Sequence, residues 1–382
     1  MKVYLVGGAV RDGLLGLPVV ERDWVVMGAD ATAMRAAGYV AADPDFPVYR
    51  HPQTGEEYAL ARRETKTGAG YRGFSVEAGP DVTLEEDLRR RDLTVNAIAQ
   101  DEQGDVVDPF GGREDLAAGL LRHVSPAFVE DPLRVLRVAR FAAKLGQFGF
   151  HVAHSTHRLM CQMVERGDMR QLTSERLWRE MFKAMQTAQP WRFFEVLHRC
   201  GALGVLIPRL AATLGETVAH AAAPDSAPVA TLKRIAARSA DPGVRLAATL
   251  AECVDTDSDA QSLATGICAD RVTTQLLRRS VVARDACAAA RDADIDALFD
   301  LARQWRALDG QADNAAEILV CEARFDDPRL GAMLRTAFVA ARAVRREDLA
   351  EPGLSGKALG SALALARRAA MRTALQRAGL LT

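Results

Sequence analysis

The sequence predicts an α+β protein: a mixed α/β head over residues 1–125, an all-helical neck over 126–200, and an all-helical body and tail over 201–382. Three observations carry this. In the first third, short β-branched and aromatic runs alternate with glycine turns and helical stretches. SPAFVEDP (125–132) then breaks the chain before an amphipathic run, and proline is well tolerated in a first helical turn. Beyond it, alanine-rich helical patterning runs almost to the end, divided by GALG, AAPDSAP and ADPG.

In order, KVYLVGG reads as a strand, AVRDGLLG as the start of a helix, RDWVVMG as a second strand and EYALARRE as a third. TKTGAGYRGFSVEAGPD (65–81) reads as a mobile glycine-rich loop, and LRRRDLTVNAI (88–98) as three arginines before an acid and an apolar helix. A helix begins near Pro132. With 382 residues, 49% apolar and 26% charged, the chain has the composition of a soluble globular protein with room for two or three domains. No apolar run approaches the roughly 20 residues a membrane helix needs, and MKVYLVGGAVRDG meets a polar turn too early for a signal peptide. A cytoplasmic location without membrane contact follows as the expectation. Cys161, Cys200, Cys253, Cys268, Cys287 and Cys321 form no CxxC pair, which predicts incidental thiols rather than a zinc site or disulfides. The formal net charge of −1 supplies no global basic field, so a nucleic-acid partner would have to meet a local patch.

Four stretches carry chemistry. In LVGGAVRDGLLG (5–16), a strand ending in Gly7 and Gly8 and feeding a helix lets backbone amides approach a phosphate, with Arg11 one turn in; a plain glycine turn reads the same. In VERDWVV (20–26), Glu21 and Asp23 project from the same face of an extended strand, where their repulsion is relieved by solvent or by a divalent cation. In LRRRDLTVNAI, like charges this dense call for a nearby anion: Arg91 suits a phosphate, and Asp92 with Asn96 a ribose hydroxyl, against the plainer reading of an exposed basic helix start. In EDPLRVLRVARFAAKLG (130–146), Arg134, Arg137 and Arg140 fall within about a third of the helix circumference, with Lys144 in the same arc. Asp131 stands one turn before Arg134, where the two side chains can pair or simply cap the helix.

These stretches, GGAVRDGLLG, ERDWVV, RRDLTVNAI, DPFGG (108–112) and EDPLRVLRVARFAAKLG, stand in the order seen in the class II tRNA nucleotidyltransferases, the CCA-adding enzymes of the polymerase-β-like superfamily, which the chain resembles across residues 1–146. The likeness continues loosely through TSERLWRE (173–180) and GALGVLIP and fades in the helical body. The resemblance implies a nucleotidyltransferase head in which Glu21 and Asp23 are catalytic and bind Mg²⁺. It implies that Gly8 and Arg11 hold the nucleoside triphosphate, that Arg91 and Asp92 meet the nucleotide, the acid at its sugar, and that Asp131 and Arg134 read the base, with Arg137 and Arg140 on the same side. The implied activity is template-independent addition of C, C and A to the 3′ end of tRNA from CTP and ATP, in tRNA maturation and repair, with tRNA and not DNA as partner. Poly(A) polymerases and CC- or A-adding enzymes of the same superfamily share these motifs, although the start at MKVYLVGG without a basic leader inclines the reading to CCA addition. A non-catalytic RNA-binding protein of the same fold is the alternative from another class.

Two departures stand out. Many relatives carry Asp where this chain has Glu21, and the extra methylene changes reach but keeps a hard oxygen ligand. Longer bacterial relatives carry an HD-type phosphohydrolase domain, whereas this chain contains no His-Asp dipeptide, so a short form without that site is expected. The acid-free tail from Gly353 carries Arg367, Arg368 and Arg372 on a helical surface suited to tRNA phosphates, unless they are ordinary solvated charges.

Overall fold

The computed structural model describes residues 1–42, 47–66, 74–215, 227–292, 294–309, 313–349 and 353–381. The chain forms two compact units, one of residues 1–180 and 192–206, the other of residues 181–191 and 207–382.

The first unit is built on β1 (Lys2–Val6), α1 (Gly8–Leu14), β2 (Asp23–Met27), α2 (Ala31–Ala36), β3 (Val40–Ala41), β4 (Val48–Arg50), β5 (Glu57–Leu60), β6 (Arg62–Lys66), β7 (Phe74–Ala78), α3 (Leu84–Arg89), β8 (Ala99–Gln100), β9 (Val106–Val107), α4 (Gly112–Ala118), β10 (Leu120–Leu121), α5 (Leu133–Leu145), β11 (His151–Val152) and α6 (His154–Glu165). Its main sheet has the order β3-β4-β5-β2-β1-β8-β9, antiparallel except for β2 beside β5. Both faces are covered. Val6, Val25, Val82, Leu88 and Ala97 pack on one side, and Val26, Met34, Tyr49 and Leu60 on the other. Two-sided burial explains why WVVM reads as a continuous apolar run.

Three expectations are corrected here. EYALARRE is not one strand: it divides at Ala61 into β5 of the main sheet and β6, which pairs antiparallel with β7 from Lys66↔Phe74 to Arg62↔Ala78. The flanks of the expected 65–81 loop therefore belong to a hairpin, their β-branched and aromatic residues outweighing the glycines between them; residues 67–73 lie outside the described residues. Finally, DLTVNAI forms a 3₁₀ turn, Thr94–Asn96, in place of an apolar helix. Leu93, Val95, Ala97 and Ile98 are all fully buried, so no polar stripe exists for an amphipathic helix to present.

DPFGG supports that turn. The Asp108 carboxylate accepts from the backbone N–H groups of Gly112 and Arg113, each at 2.8 Å, and so caps α4. A Cβ on Gly112 would stand 2.3 Å from the Thr94 carbonyl oxygen and 2.7 Å from Ile98 Cγ1. Gly112→Ala is therefore expected to destabilise the first unit by about 1–3 kcal/mol through overpacking; an unchanged urea midpoint would refute this.

The first unit ends with part of α7 (Ser174–Met185), then α8 (Trp191–Arg199) and α9 (Ala202–Leu206). The second is helical: α10 (Pro208–Leu214), α11 (Ala227–Ala236), α12 (Pro242–Leu250), α13 (Asp257–Gly266), α14 (Arg271–Val282), α15 (Arg284–Arg291), α16 (Ile295–Gln304), α17 (Ala315–Phe325), α18 (Pro328–Ala343) and α19 (Gly356–Arg377). Trp305, Phe338, Leu298, Leu334 and Met371 lie in its core. Buried Arg245 donates to the carbonyls of Met185 (2.5 Å), Thr187 (3.0 Å), Ala236 (3.1 Å) and Ser239 (2.7 Å), satisfying groups at the ends of α7 and α11. The six cysteines are free. Among the described residues no helix is long and apolar enough to cross a membrane.

Candidate active site

Register brings the first two motifs together. Asp23 opens β2 directly opposite Val6, the residue before the Gly7–Gly8 turn, and lies beside Glu57 on the parallel neighbour β5. Burial raises the Asp23 pKa, opposed by Arg91 and reinforced by Glu21 and Glu57. The strand starts at Asp23, so Glu21 lies in the exposed segment before it rather than on the same strand face as expected. The acid aligned with Asp23 within the sheet is Glu57, which sequence spacing did not supply because the parallel pairing joins strands more than thirty residues apart. Among the described residues no group of three or more His, Cys, Asp or Glu side chains closes on one point as a metal cage. Mg²⁺ characteristically takes one or two carboxylates together with substrate phosphates, so Glu21 and Asp23 remain a fitting donor set.

Gly7, at φ 69°, needs its glycine. A Cβ there would stand 2.8 Å from Arg91 Nη1, so the turn, Arg91 and Asp23 share one edge of the head. Arg11 differs from the picture of an outward phosphate ligand. It is 2% exposed, donates from Nη1 to Asn96 Oδ1 at 2.5 Å and from Nε to Asp12 Oδ1 at 2.8 Å, and stacks 5.0 Å from the Phe141 ring centroid.

The anion demanded by the three consecutive arginines is supplied by the chain itself. Arg89 pairs with Glu85 at 2.8 Å, Arg90 with Asp87 at 2.7 Å and Arg91 with Asp87 at 3.2 Å. Asp87 is completely buried; burial pushes its pKa upward, but Arg90 and Arg91 overcome this and hold it below the ordinary value. Arg91 keeps one unmatched group, a buried Nε without a hydrogen-bond partner. The helix α3 that presents these residues is closed by a capping box, Thr83 N–H donating to Glu86 at 2.8 Å and Glu86 N–H to Thr83 Oγ1 at 3.3 Å.

Asp92 is buried as well. Burial raises its pKa, and Arg137, Asn96 and the Leu93 N–H together hold it well below the usual carboxylate range. Arg137 Nε donates to Asp92 Oδ2 at 2.6 Å, and Asn96 Nδ2 to Oδ1 at 3.0 Å. The basic edge of α5 is thus met by acids: Arg137 by Asp92, Arg140 by buried Glu180 at 2.5 Å, and Lys144 by Asp12 at 2.9 Å. Phe141 collects three guanidinium groups, those of Arg11, Arg137 and Arg140, at 4.5–5.7 Å from its ring centroid.

The Asp131–Arg134 pairing expected from spacing gives way to different partners. Helix α5 starts at Leu133, leaving Asp131 extended; its carboxylate caps the Leu133 N–H at 3.0 Å and accepts from Arg176 Nη2 at 2.8 and 3.0 Å. Arg134, buried, donates to the carbonyls of Ala127 at 3.1 Å and Arg90 at 2.6 Å. In the second unit, the tail arginines are not equivalent. Arg368 pairs with Asp296 at 2.5 Å and stacks 4.1 Å over Phe299, Arg367 has a buried Nε without a partner, and Arg372 is exposed. Of the three arginines expected to meet tRNA phosphates, Arg372 is exposed, whereas Arg368 is engaged by Asp296 and Phe299.

Residues 3–122 match the family described as the poly A polymerase head domain, and residues 149–214 the family described as a probable RNA and SrmB-binding site of polymerase A. A Multifunctional CCA protein of Thioalkalivibrio sulfidiphilus is 43% identical over 97% of this chain and 98% of its own length. The chain belongs to the multifunctional CCA protein family. A family member from Vibrio cholerae is 60% identical over 55% of this chain and 52% of its own length, so the matched part spans about half of that relative. The fold is that of the CCA family in three dimensions too: the structure titled as the Bacillus stearothermophilus CCA-adding enzyme in complex with CTP covers 97% of this chain and 89% of that one, with a TM-score of 0.65 and 25% identity. The family is one of nucleotidyltransferases that are generally metal-dependent. Sequence reasoning missed Glu57, Asp87, Phe141, Arg176 and Glu180. Of these, Asp87 and Phe141 had local signals, Asp87 standing three and four residues before Arg90 and Arg91, and Phe141 four residues after Arg137 on the same helix.

Proposed function

We propose that this protein adds C, C and A to the 3′ end of tRNA, taking CTP and ATP and releasing pyrophosphate, as a cytoplasmic enzyme of tRNA maturation and repair. The observation that carries the reading is the meeting of Asp23, the Gly7 turn and Arg91 at one edge of a head whose chain matches a Multifunctional CCA protein end to end.

Glu21 and Asp23 would hold Mg²⁺, which when bound supplies charge stabilisation for phosphoryl transfer. The tRNA 3′-oxygen forms a bond to the α-phosphorus as the bond to pyrophosphate breaks. Backbone at Gly8 and the Arg91 guanidinium neutralise the triphosphate, Arg11 braces that region from within, and Asp92 faces the sugar. Asp131 and Arg134 read the base, with Arg137 and Arg140 supporting them. Arginine only donates and a carboxylate only accepts, so such a pair can complement cytosine and adenine without a nucleic-acid template. For Asp131 this means exchanging its Arg176 contact for the base. Arg372 is the tail arginine best placed to meet tRNA phosphate, with Arg367 and Arg368 shaping the helix that carries it.

The match to a poly A polymerase head favours one second reading, poly(A) addition. Incubation with CTP, ATP and Mg²⁺, using transcripts ending before CCA, after CC and after CCA, decides between them. Three added nucleotides followed by a stop are expected. A long A ladder would indicate a poly(A) polymerase, CC or A alone a split-function enzyme, and no incorporation an RNA-binding protein.

A further inference from the structure

We propose that Asn96 is the positioning residue for the sugar-facing carboxylate, its buried side-chain amide holding Asp92 and Arg11 at a set separation; the inference rests on the assignment of Asp92 to the ribose.

Asn96 is 5% exposed and sits where three nucleotide-facing candidates converge. Its Oδ1 accepts from Arg11 Nη1 at 2.5 Å, its Nδ2 donates to Asp92 Oδ1 at 3.0 Å, and its backbone carbonyl accepts from Arg91 Nη1 at 3.4 Å. The orientation of the amide follows from chemistry. A guanidinium has no acceptor, so the oxygen must face Arg11; an ionised carboxylate has no donor, so the NH₂ must face Asp92. A primary amide carries an acceptor and a donor on one short planar group, so a single side chain serves both partners. The second oxygen of Asp92 takes Arg137 Nε at 2.6 Å. The Leu93 N–H also donates to Oδ1, at 2.9 Å, so Asn96 and that backbone group hold the carboxylate from the head while Arg137 holds it from α5, and the three charge-assisted bonds fix the direction of its remaining lone pairs.

A ribose 2′-hydroxyl is recognised only if its acceptor stands still. A site built to bond a hydroxyl rejects the analogue lacking it, and that rejection disappears when the bonding group swings away. The fixed amide thus links α1 and the 3₁₀ turn to the choice between ribonucleotide and deoxyribonucleotide. Asn96→Ala removes both contacts. Asn96→Asp keeps the volume and the acceptor for Arg11 but sets a carboxylate against Asp92, so it isolates the contact that matters.

The test is steady-state incorporation from CTP and from dCTP into a tRNA transcript lacking CCA, by the full chain and by Asn96→Ala, Asn96→Asp and Asp92→Ala, each checked by thermal unfolding. Both Asn96 variants are expected to lose ~10-fold or more in kcat/KM for CTP, chiefly through KM. Their dCTP efficiency changes far less, so the CTP:dCTP preference falls toward that of Asp92→Ala. Equal losses on both substrates, with the preference unchanged, would show a merely structural role and overturn the inference. If Asp92→Ala itself keeps the wild-type preference, the ribose assignment fails and the inference fails with it. Should Asn96→Ala not fold, Asn96→Asp decides the matter.

Discussion

If Asp23 holds the metal as proposed, Asp23→Asn is expected to lower nucleotide incorporation by about 10³-fold, since several kcal/mol of transition-state charge stabilisation would depend on a ligand charge at this position. The same substitution is expected to leave the unfolding midpoint unchanged or slightly higher. The sign follows from linkage: burial and the neighbouring Glu21 and Glu57 raise the folded pKa of Asp23 above its ordinary 3.8, so the cost to folding builds as the pH rises past 3.8 and is fully present above the folded value. Removing the charge relieves this at neutral pH while removing the chemistry. Incorporation assays and thermal melts of the same preparation check both halves. Full activity in the variant, or a marked loss of stability, would contradict the assignment of Asp23 as a ligand acid.

Asp87→Ala is expected to be the most destabilising single change in the arginine region, costing about 3–5 kcal/mol, because it leaves the largely buried Arg90 and Arg91 without their shared anion. The Asp87 side chain is completely buried, and those of Arg90 and Arg91 are only 18% exposed. Asp87→Asn, which keeps the shape and loses the charge, should be nearly as harmful. A pH signature accompanies the effect. Asp87 and Asp92 both have folded pKa values below the ordinary 3.8, so their stabilisation is fully present above that value and is lost as the pH falls through the folded values. Urea midpoints of the wild type should therefore drop below about pH 4, and Asp87→Asn should flatten that acid limb. Parallel pH profiles for the two proteins would disprove the role given to Asp87.

The arginine run shows how local information was present yet incomplete. Like charges in sequence do demand a counter-anion, but the anion lies three and four residues upstream, on the buried face of α3. Thr83 and Glu86, at capping-box spacing, would have marked the start of that helix. Asp131 shows the opposite case. Helical spacing pairs it with Arg134, but the helix begins two residues after it, and its carboxylate goes to Arg176, 45 residues away. No local pattern contains such a partner.

The sequence by itself determined what depends on neighbours along the chain. The strand–glycine–helix start, the proline break before α5 and the helical remainder all follow from periodicity and turn chemistry. Tertiary structure alone decided which acids face which arginines. Arg137 reaches Asp92 from α5, Arg176 reaches Asp131 and Glu180 reaches Arg140 from α7, and Asn96 joins Arg11 to Asp92 through a buried 3₁₀ turn. The physical reason is that a buried charge must find an opposite charge or a hydrogen-bond partner wherever packing delivers one, and packing joins residues without regard to their separation in sequence.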